Sequence, residues 1–570
     1  LIGKVTFIMS SSPAANPSAD LSMAAARESV STVIPHKQTS WLPASLAIFI
    51  LASICFIFHL GVGPLAGTEG HRAITAEQML HNGNYILPQL YGHLYMTKPP
   101  LTYWLIALSE RCFGPGELTW RLPSALASAL LAAGICAITA AWFDSLAGLA
   151  AGIAFIGIIP LWSQDRSADV DAINHLGSVL AALAIIDMTQ RVGRIRLWSI
   201  CVAALGTAVC GLSKGPAGLP IILGAAIGPA LANRELRPLR RPQIYVAIVL
   251  GALPFAIWAA LAYHAIGRSV VSSDMSGAVE ARKQMLMILN IRHLPQVLSL
   301  PFVVLAYGMP ISALLVLPVV PAFRKSFDLD KQRLLRAIVG SVLAAFIIQM
   351  CTGMINPRYA FLNLPLLCPL AGAMVFVWRH NDSSRFSRGT ILTWLTLITF
   401  AYCGAAGMIL YLGWRMGFHS HLSLIIVLLG LVFSAALLGK VLWKVAWCAA
   451  LAGIAICAAA MIYGLYKSTE ESVRSAKPQA AALAAHVSTG APIVTWNALW
   501  SQPEYFYYAH LHPEVAHPLP GWKLPNKAWL VLDDEEWSEW QAHPDFASHL
   551  SKVAILHPYK HVVYACWYSK

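Results

Sequence analysis

Charge is scarce in this chain. Only 12% of its 570 residues are Asp, Glu, Lys or Arg, roughly half the share an average soluble protein carries. That shortage argues against a string of soluble domains. Acidic residues are scarcer still, 27 against 40 basic ones, which leaves a net charge of +13. The basic residues are scattered over loops rather than gathered in one stripe, so a nucleic-acid partner is not indicated. Cysteine is present eleven times, but with no CxxC and no zinc-ribbon spacing, so no thiol-metal framework is encoded. Nine of the eleven fall in apolar runs as small core residues, leaving Cys112 and Cys566 as the one extramembranous pair that could bridge. There is no internal repeat and no low-complexity tract after residue 40.

What is abundant is apolar sequence. Hydrophobic residues make up 57% and the mean hydropathy is +0.61. Runs of about 18 or more apolar residues recur along most of the chain, which indicates an α-helical polytopic membrane protein. Spans are expected near 42–60, 122–142, 146–162, 172–188, 197–212, 216–232, 243–263, 296–320, 337–352, 359–378, 390–413, 421–439 and 445–465, about thirteen in all. Residues 1–40, rich in Ser, Ala and Pro, are expected to be a disordered cytoplasmic start, too polar for a secretory signal. Residues 41–465 form the transmembrane domain, and 466–570 a small α/β domain. In the latter "ESVRSAKPQAAALAAHV" reads as helix and "APIVTW", "KAWLVL" and "KVAILH" as strands.

Lys and Arg in short loops fix the orientation. "TQRVGRIRL", "ANRELRPLRRPQ", "FRKSFDLDKQRLLR", "WRHNDSSRFSRG" and "GKVLWK" all fall on one side, and the loops opposite carry few cations. The positive-inside rule then puts the N-terminus in the cytoplasm and the C-terminal domain outside. Two outer loops are long, 61–121 and 264–295.

The outer segments carry the charges that a membrane protein does not place idly. "TEGHRAITAEQMLHNG" reads as an interfacial helix with Ile74, Met79 and Leu80 on its apolar side. Glu69 at its start either caps the helix or points into a cavity as base or ligand. In "GHLYMTKPPLTYW" two prolines force an extended backbone on Lys98. Its ammonium either snorkels to headgroups or holds the phosphate of a lipid ligand as a point charge. "SQDRSADVDAINH" brings Asp165, Asp169 and Asp171 to the bilayer edge, Asp171 as N-cap or as functional carboxylate. "GLSKGPAGLP" adds Lys214, "TGMINPRYAFLNLP" adds Arg358 and Tyr359, and loop 264–295 adds Arg268 among other cations. Cations beside carboxylates on one face suit a phosphate and a second polar or basic group. No ligand spacing requires a metal, although a divalent ion bridging carboxylate and phosphate is compatible.

An acidic first loop, "GNYILPQLYGHLYMTKPPLTYW", "RLPSA", "GLSKGPAG" and "NPRYAFLNLP", in this order over residues ~45–380, resemble the polyprenyl-phosphate-dependent glycosyltransferases of the GT-C superfamily. Within it the chain looks most like the bacterial aminoarabinose (4-amino-4-deoxy-L-arabinose) transferases that modify lipid A, relatives of the protein O-mannosyltransferases. The resemblance implies a GT-C fold with a periplasmic C-terminal domain in the bacterial inner membrane. It implies a donor sugar on undecaprenyl phosphate, transfer to a lipid A phosphate, and resistance to cationic antimicrobial peptides. Related outcomes are transfer to a protein hydroxyl or another glycan; a transporter is a rival without paired repeats to support it. By the same resemblance Lys98, Arg72, Lys214, Arg268, Arg358 and Tyr359 face the donor phosphate, and Glu69, then Asp171 and Asp169, are the candidate catalytic carboxylates. The chain departs from the family in having Thr68-Glu69 where Asp-Glu is usual, His71 or Arg72 for the arginine that follows, and Thr97 where a Glu often precedes the lysine. No cofactor is required by this chemistry.

Overall fold

The computed structural model describes residues 41–191, 193, 195–266, 294–352, 356–380, 385–415, 445–473, 475–487, 491–495, 503–515, 525–533, 536–538, 548–556 and 563–569. The N-terminal 1–40, the span expected at 421–439 and Arg268 lie outside these residues.

The apolar runs fold as helices because in lipid every backbone polar group must be satisfied within its own segment. Helix α1 is Trp41–Ile57, α2 Glu69–Asn82, α3 Leu101–Phe113, α4 Glu117–Trp142, α5 Ser145–Ile156, α6 Asp171–Gln190, α7 Leu197–Lys214 and α8 Leu219–Asn233. They are followed by α9 Pro242–Ile266, α10 Leu294–Tyr307, α11 Leu329–Cys351, α12 Cys368–His380, α13 Arg385–Arg415 and α14 Val445–Val473. Among the described residues eight segments are long and apolar enough to cross a membrane, or up to ten if each of two bent pairs counts as one span. One pair bends by 56° between Ser145–Ile156 and Ile159–Asp165, the other by 104° between Leu294–Tyr307 and Ile311–Val319.

The stretch Leu197–Asn233 is apolar enough to pass for one long span but reverses at Gly215–Gly218. Helix α7 runs antiparallel to α6, with Ser199 bonded to Asp187 at one end and Lys214 to Asp171 at the other. Helix α8 then returns, and just beyond it Arg241 donates to the Arg191 carbonyl at the end of α6. The reversal needs Gly215, whose φ is +66°, a region that L side chains rarely adopt. Small residues let the helices approach closely: a Cβ on Gly228 of α8 would lie 2.4 Å from the Gly340 backbone of α11. Arg166 donates to the carbonyls of Cys55, Phe56 and Phe58 at 3.2, 2.8 and 2.5 Å, satisfying the end of α1, whose carbonyls have no intrahelical partner.

Helix α2 is buried rather than interfacial: Glu69 through Ala76 are all buried, polar side chains included. Its ionic partners, described below, make burial of those polar groups affordable where an amphipathic pattern alone suggests a membrane surface.

Beyond α14, helix α15 (Lys477–His486) starts afresh after a break, so the helix-like stretch read from the sequence is two pieces. Strands β1 Gln89–Leu90 and β2 His93–Leu94 pair in the first long loop. The C-terminal strands are β3 Ile493–Thr495, β4 Glu514–Val515, β5 Lys527–Asp533, β6 Leu550–Leu556 and β7 Val563–Ser569. They form one sheet in the order β4-β3-β5-β7-β6. β3 is parallel to β4 and β5, and β7 lies antiparallel between β5 and β6. Cys566 on β7 is buried and Cys112 exposed, and no disulfide joins them.

Helix α16 (Pro503–Tyr508) fastens this sheet to the first long loop. Tyr508 Oη accepts from the Leu65 amide at 2.8 Å and donates to Glu117 Oε1 at 3.2 Å, and Lys477 Nζ meets the same Glu117 oxygen at 2.6 Å. Tyr91 Oη donates to the Pro503 carbonyl at 3.0 Å, and Tyr507 stands edge-on to Trp120. The aromatic run "YFYY" therefore divides its work. Phe506 packs in the sheet's core, while Tyr507 and Tyr508 contact the transmembrane unit.

Candidate functional site

Four chain segments converge at the end of the bundle where α2, α6 and α7 meet. The first turn of α2 supplies Glu69 and Arg72. The connection into α6 supplies Asp169 and Asp171. The end of α7 supplies Lys214, and the one-turn helix Pro357–Ala360 supplies Arg358 and Tyr359. Lys98 joins them because the turn after Lys214 lies against the KPP segment: a Cβ added to Gly215 would stand 3.9 Å from Pro99 Cγ.

Glu69 is almost fully buried, and four donors hold it. Arg121 makes a forked contact, Nε to Oε1 at 2.8 Å and Nη2 to Oε2 at 2.7 Å. The Ala168 amide donates to Oε1 at 2.9 Å and the Ala66 amide to Oε2 at 3.0 Å. Arg121 also donates to the carbonyls of Leu60, Gly63 and Pro64. The pair therefore pins the loop entering α2 to α4 and to the Asp169 segment, with bidentate geometry that favours Arg over Lys. Arg121 is the "R" of "RLPSA". Motif spacing gives it no role; its signal in the sequence is an arginine lying within an apolar helix.

Asp169 is the hub. Its Oδ2 accepts from Thr68 Oγ1 at 2.7 Å and from Arg358 Nη2 at 2.5 Å; its Oδ1 accepts from the Val170 amide at 2.8 Å and from Arg72 Nε at 3.3 Å. Burial alone would raise its pKa, but Arg72 and Arg358 foremost among its partners hold it well below the usual carboxylate range. Thr68 thus spends its hydroxyl on Asp169 and makes no side-chain cap for α2.

Asp171 opens α6 without capping it; Val170 is the cap residue. Its carboxylate instead forms ion pairs with Lys214 through Oδ1 and Arg358 through Oδ2. The Lys214 ammonium also lies 4.4 Å over the Tyr359 ring, a cation–π contact. Arg72 is completed by Tyr103 Oη at 3.1 Å and Tyr95 Oη at 3.4 Å. Both tyrosines flank the KPP motif and were not among the residues singled out from the sequence.

Lys98 differs from these cations. It is half-buried, and among the described residues no carboxylate stands within ion-pair distance of it. Burial first, then the charges of Arg72 and Lys214, pull its pKa down to about 8, with Asp169 and Asp171 acting the other way. The expected site residues that the structure describes (Glu69, Arg72, Lys98, Asp169, Asp171, Lys214, Arg358 and Tyr359) thus fall in one region, with Glu69 set back behind Arg121. Among the described residues no three His, Cys, Asp or Glu side chains converge as a metal site.

The family model for dolichyl-phosphate-mannose-protein mannosyltransferases matches residues 97–259. The undecaprenyl phosphate-alpha-4-amino-4-deoxy-L-arabinose arabinosyl transferase of Pseudomonas savastanoi pv. phaseolicola is 30% identical over 221 residues, 37% of this chain and 40% of that protein. The protein of the same name in Aeromonas salmonicida is 25% identical over 233 residues, 39% of this chain and 40% of its own length. The chain thus aligns with about two fifths of these relatives. The crystal structure of ArnT from Cupriavidus metallidurans bound to undecaprenyl phosphate superposes with a TM-score of 0.65 at 16% identity, over 92% of this chain and 98% of that one. The sequence resemblance and the fold agree: over part of its length this chain is similar to aminoarabinose transferases, and it shares the membrane fold of the Cupriavidus metallidurans protein.

Proposed function

We propose that this chain is a lipid-phosphate-dependent glycosyltransferase that moves 4-amino-4-deoxy-L-arabinose from undecaprenyl phosphate to a phosphate of lipid A. The observation that carries the reading is Lys98, a half-buried ammonium beside Arg72 and Lys214 with no carboxylate of its own among the described residues. A phosphate is the ligand such a cation lacks, and the neighbouring Arg358 and Lys214 can be shared with it.

The state of the carboxylates favours a phosphate acceptor over a hydroxyl. A hydroxyl needs a base to take its proton as the new bond forms. Here Asp169 is held ionised by Arg72 and Arg358, Asp171 is paired with Lys214 and Arg358, and Glu69 is paired with Arg121. Each is already engaged by a cation, and none stands free to serve as the base. A phosphate monoester is already an anion at neutral pH, with its second pKa near about 6. The remaining task is electrostatic: to bring two phosphates together and to stabilise the charge that develops on the leaving one. Lys98, Lys214 and Arg358 serve that task, with no metal required. As phosphate draws Arg358 or Lys214 toward itself, Asp171 gains a free oxygen. That oxygen can receive the ammonium of an aminosugar. Glu69 acts through Arg121 as a positioning residue, holding the loop that carries Thr68.

The site lies at the end of the bundle opposite "TQRVGRIRL" and "ANRELRPLRRPQ". This supports an inner-membrane protein with those loops in the cytoplasm and the site and C-terminal sheet in the periplasm. The test is lipid A mass spectrometry in a Gram-negative host that makes the donor but lacks its own transferase. Wild type is expected to add an aminoarabinose mass to lipid A, and Lys98→Ala to add none at equal membrane abundance. No addition by folded wild type would sink the assignment of donor or acceptor; full addition by Lys98→Ala would sink the role of Lys98.

A further inference from the structure

The end of the bundle away from the candidate site holds a cavity of about 580 Å³. Its walls include Ile195 of the α6–α7 connection, Ile200 of α7, Arg237, Arg240 and Arg241 just before α9, and Gln243 in the first turn of α9. From Ile200 to Lys214 is about 21 Å along α7 at 1.5 Å per residue, so this cavity and the phosphate-binding candidates sit at opposite ends of one helix.

The nearby acids are already committed. Asp187 accepts from Arg191 at 3.0 Å, from Ser199 at 2.7 Å and from Trp142 at 3.0 Å. Glu235 pairs with Arg333 at 3.1 Å. Among the described residues no carboxylate stands within ion-pair distance of Arg237, Arg240 or Arg241. Arg241 is fixed by its bond to the Arg191 carbonyl, and burial together with the Arg237 charge pulls its guanidinium below its ordinary pKa. A loop that only sets membrane topology can leave its arginines spread in water. Here three of them wall one cavity. Close in the chain to the lining residues, Leu197, Leu236 and Tyr245 are exposed apolar side chains.

We infer that this cavity binds the phosphate headgroup of an anionic membrane lipid, with the acyl chains lying against Leu197, Leu236 and Tyr245. Guanidinium forks match phosphate oxygens, and a basic pocket between membrane helices meeting an anionic leaflet is a setting for headgroup recognition. Exposed apolar side chains beside these arginines in the chain favour a lipid over a free phosphate.

The test uses the full chain, purified in detergent, stripped of lipid and titrated with phosphatidylglycerol; native mass spectrometry counts the lipid retained. Wild type is expected to bind phosphatidylglycerol at least tenfold better than phosphatidylcholine, and R237A/R240A to lose at least tenfold in affinity. Both side chains are exposed, so the variant is expected to melt with wild type. Arg234→Ala removes a cation from the same loop but outside the cavity wall and is expected to bind as wild type. Equal binding of the two lipids, or equal binding by wild type and R237A/R240A, would overturn the inference. So would an Arg234→Ala loss as large as that of R237A/R240A, which reduces the effect to loop charge, or competition by soluble glycerol phosphate as potent as the lipid's.

Discussion

Raising the pH from 7 to 10 is expected to loosen the grip of Lys98 on a lipid phosphate, at a pH set by its surroundings. The ordinary value of 10.5 falls to about 8, which corresponds to roughly 3 kcal/mol held against the charged form. A phosphate oxygen about 4 Å from the ammonium offers about 4 kcal/mol per unit charge at an effective permittivity of about 20. That is enough to return the bound lysine to its ordinary range. At pH 9 the free protein then carries a proton on Lys98 in about one molecule in ten, while the complex is fully charged, so binding takes up a proton. Affinity for undecaprenyl phosphate is expected to be flat from pH 7 to 8 and to fall about tenfold per pH unit from there toward 10. The ligand itself is doubly ionised across this range. Calorimetric titration of detergent-solubilised protein, run in two buffers of different ionisation enthalpy, reads both the affinity and the proton. Lys98→Arg stays charged and is expected to bind with no such slope; it retains Glu504, a buried carboxyl that burial pushes up to about 8, and so separates Lys98 from that group. An affinity that holds unchanged to pH 10 in wild type, or the same slope in Lys98→Arg, would refute the reasoning.

Arg121→Ala leaves the buried Glu69 carboxylate without its cation and is expected to cost about 3–5 kcal/mol of stability; a melting temperature in detergent unchanged from wild type would contradict the strut role of that pair. Asp171→Asn releases Lys214 and Arg358 for phosphate, so donor binding is expected to hold or tighten while transfer falls at least tenfold, a split read by comparing undecaprenyl phosphate affinity with turnover. Glu504, buried against Gly70, has its carboxyl pushed up to about 8 from 4.5 by burial first, with the Glu69 charge adding to it. The unfolded chain ionises this group near 4.5 and the folded chain near 8. Its contribution is thus complete below pH 4.5 and is lost as pH rises to 8, by up to roughly 5 kcal/mol. Glu504→Gln is expected to remove that component, seen as a melting-temperature gain over wild type that is larger at pH 8 than at pH 5.

Much of the molecule is legible in the sequence, for identifiable reasons. Apolar runs mark the helices because lipid leaves the backbone no alternative. Lys98, Asp169, Asp171, Lys214 and Arg358 stand out because charges at a membrane edge are costly. Who pairs with whom is not legible. Glu69 meets Arg121 across 52 positions and Arg358 meets Asp169 across 189, separations on which periodicity is silent. The same blindness makes α2 read as interfacial: its polar residues look solvent-facing until Arg121, Asp169 and Tyr103 are folded around them. In the C-terminal sheet "APIVTW", "KAWLVL" and "KVAILH" are found as strands, while β7, between two of them, is missed. Its sequence "VYACWYS" mixes small, polar and aromatic residues, and only its neighbours on both sides make it a strand.

Helix α6 carries a carboxylate anchor at each end, Asp171 tied to Lys214 and Arg358 and Asp187 tied to Arg191, Ser199 and Trp142. A rod pinned at both ends can neither slide along its axis nor turn about it without breaking several contacts together. It is therefore a poor piston, and exchange of partners at the site falls to whichever side chain can swing. Lys214 and Asp171 are enclosed, whereas the Arg358 side chain is 39% exposed. The moving part of this machine is thus one guanidinium on a fixed frame, and turnover at the site need not wait for the bundle to move.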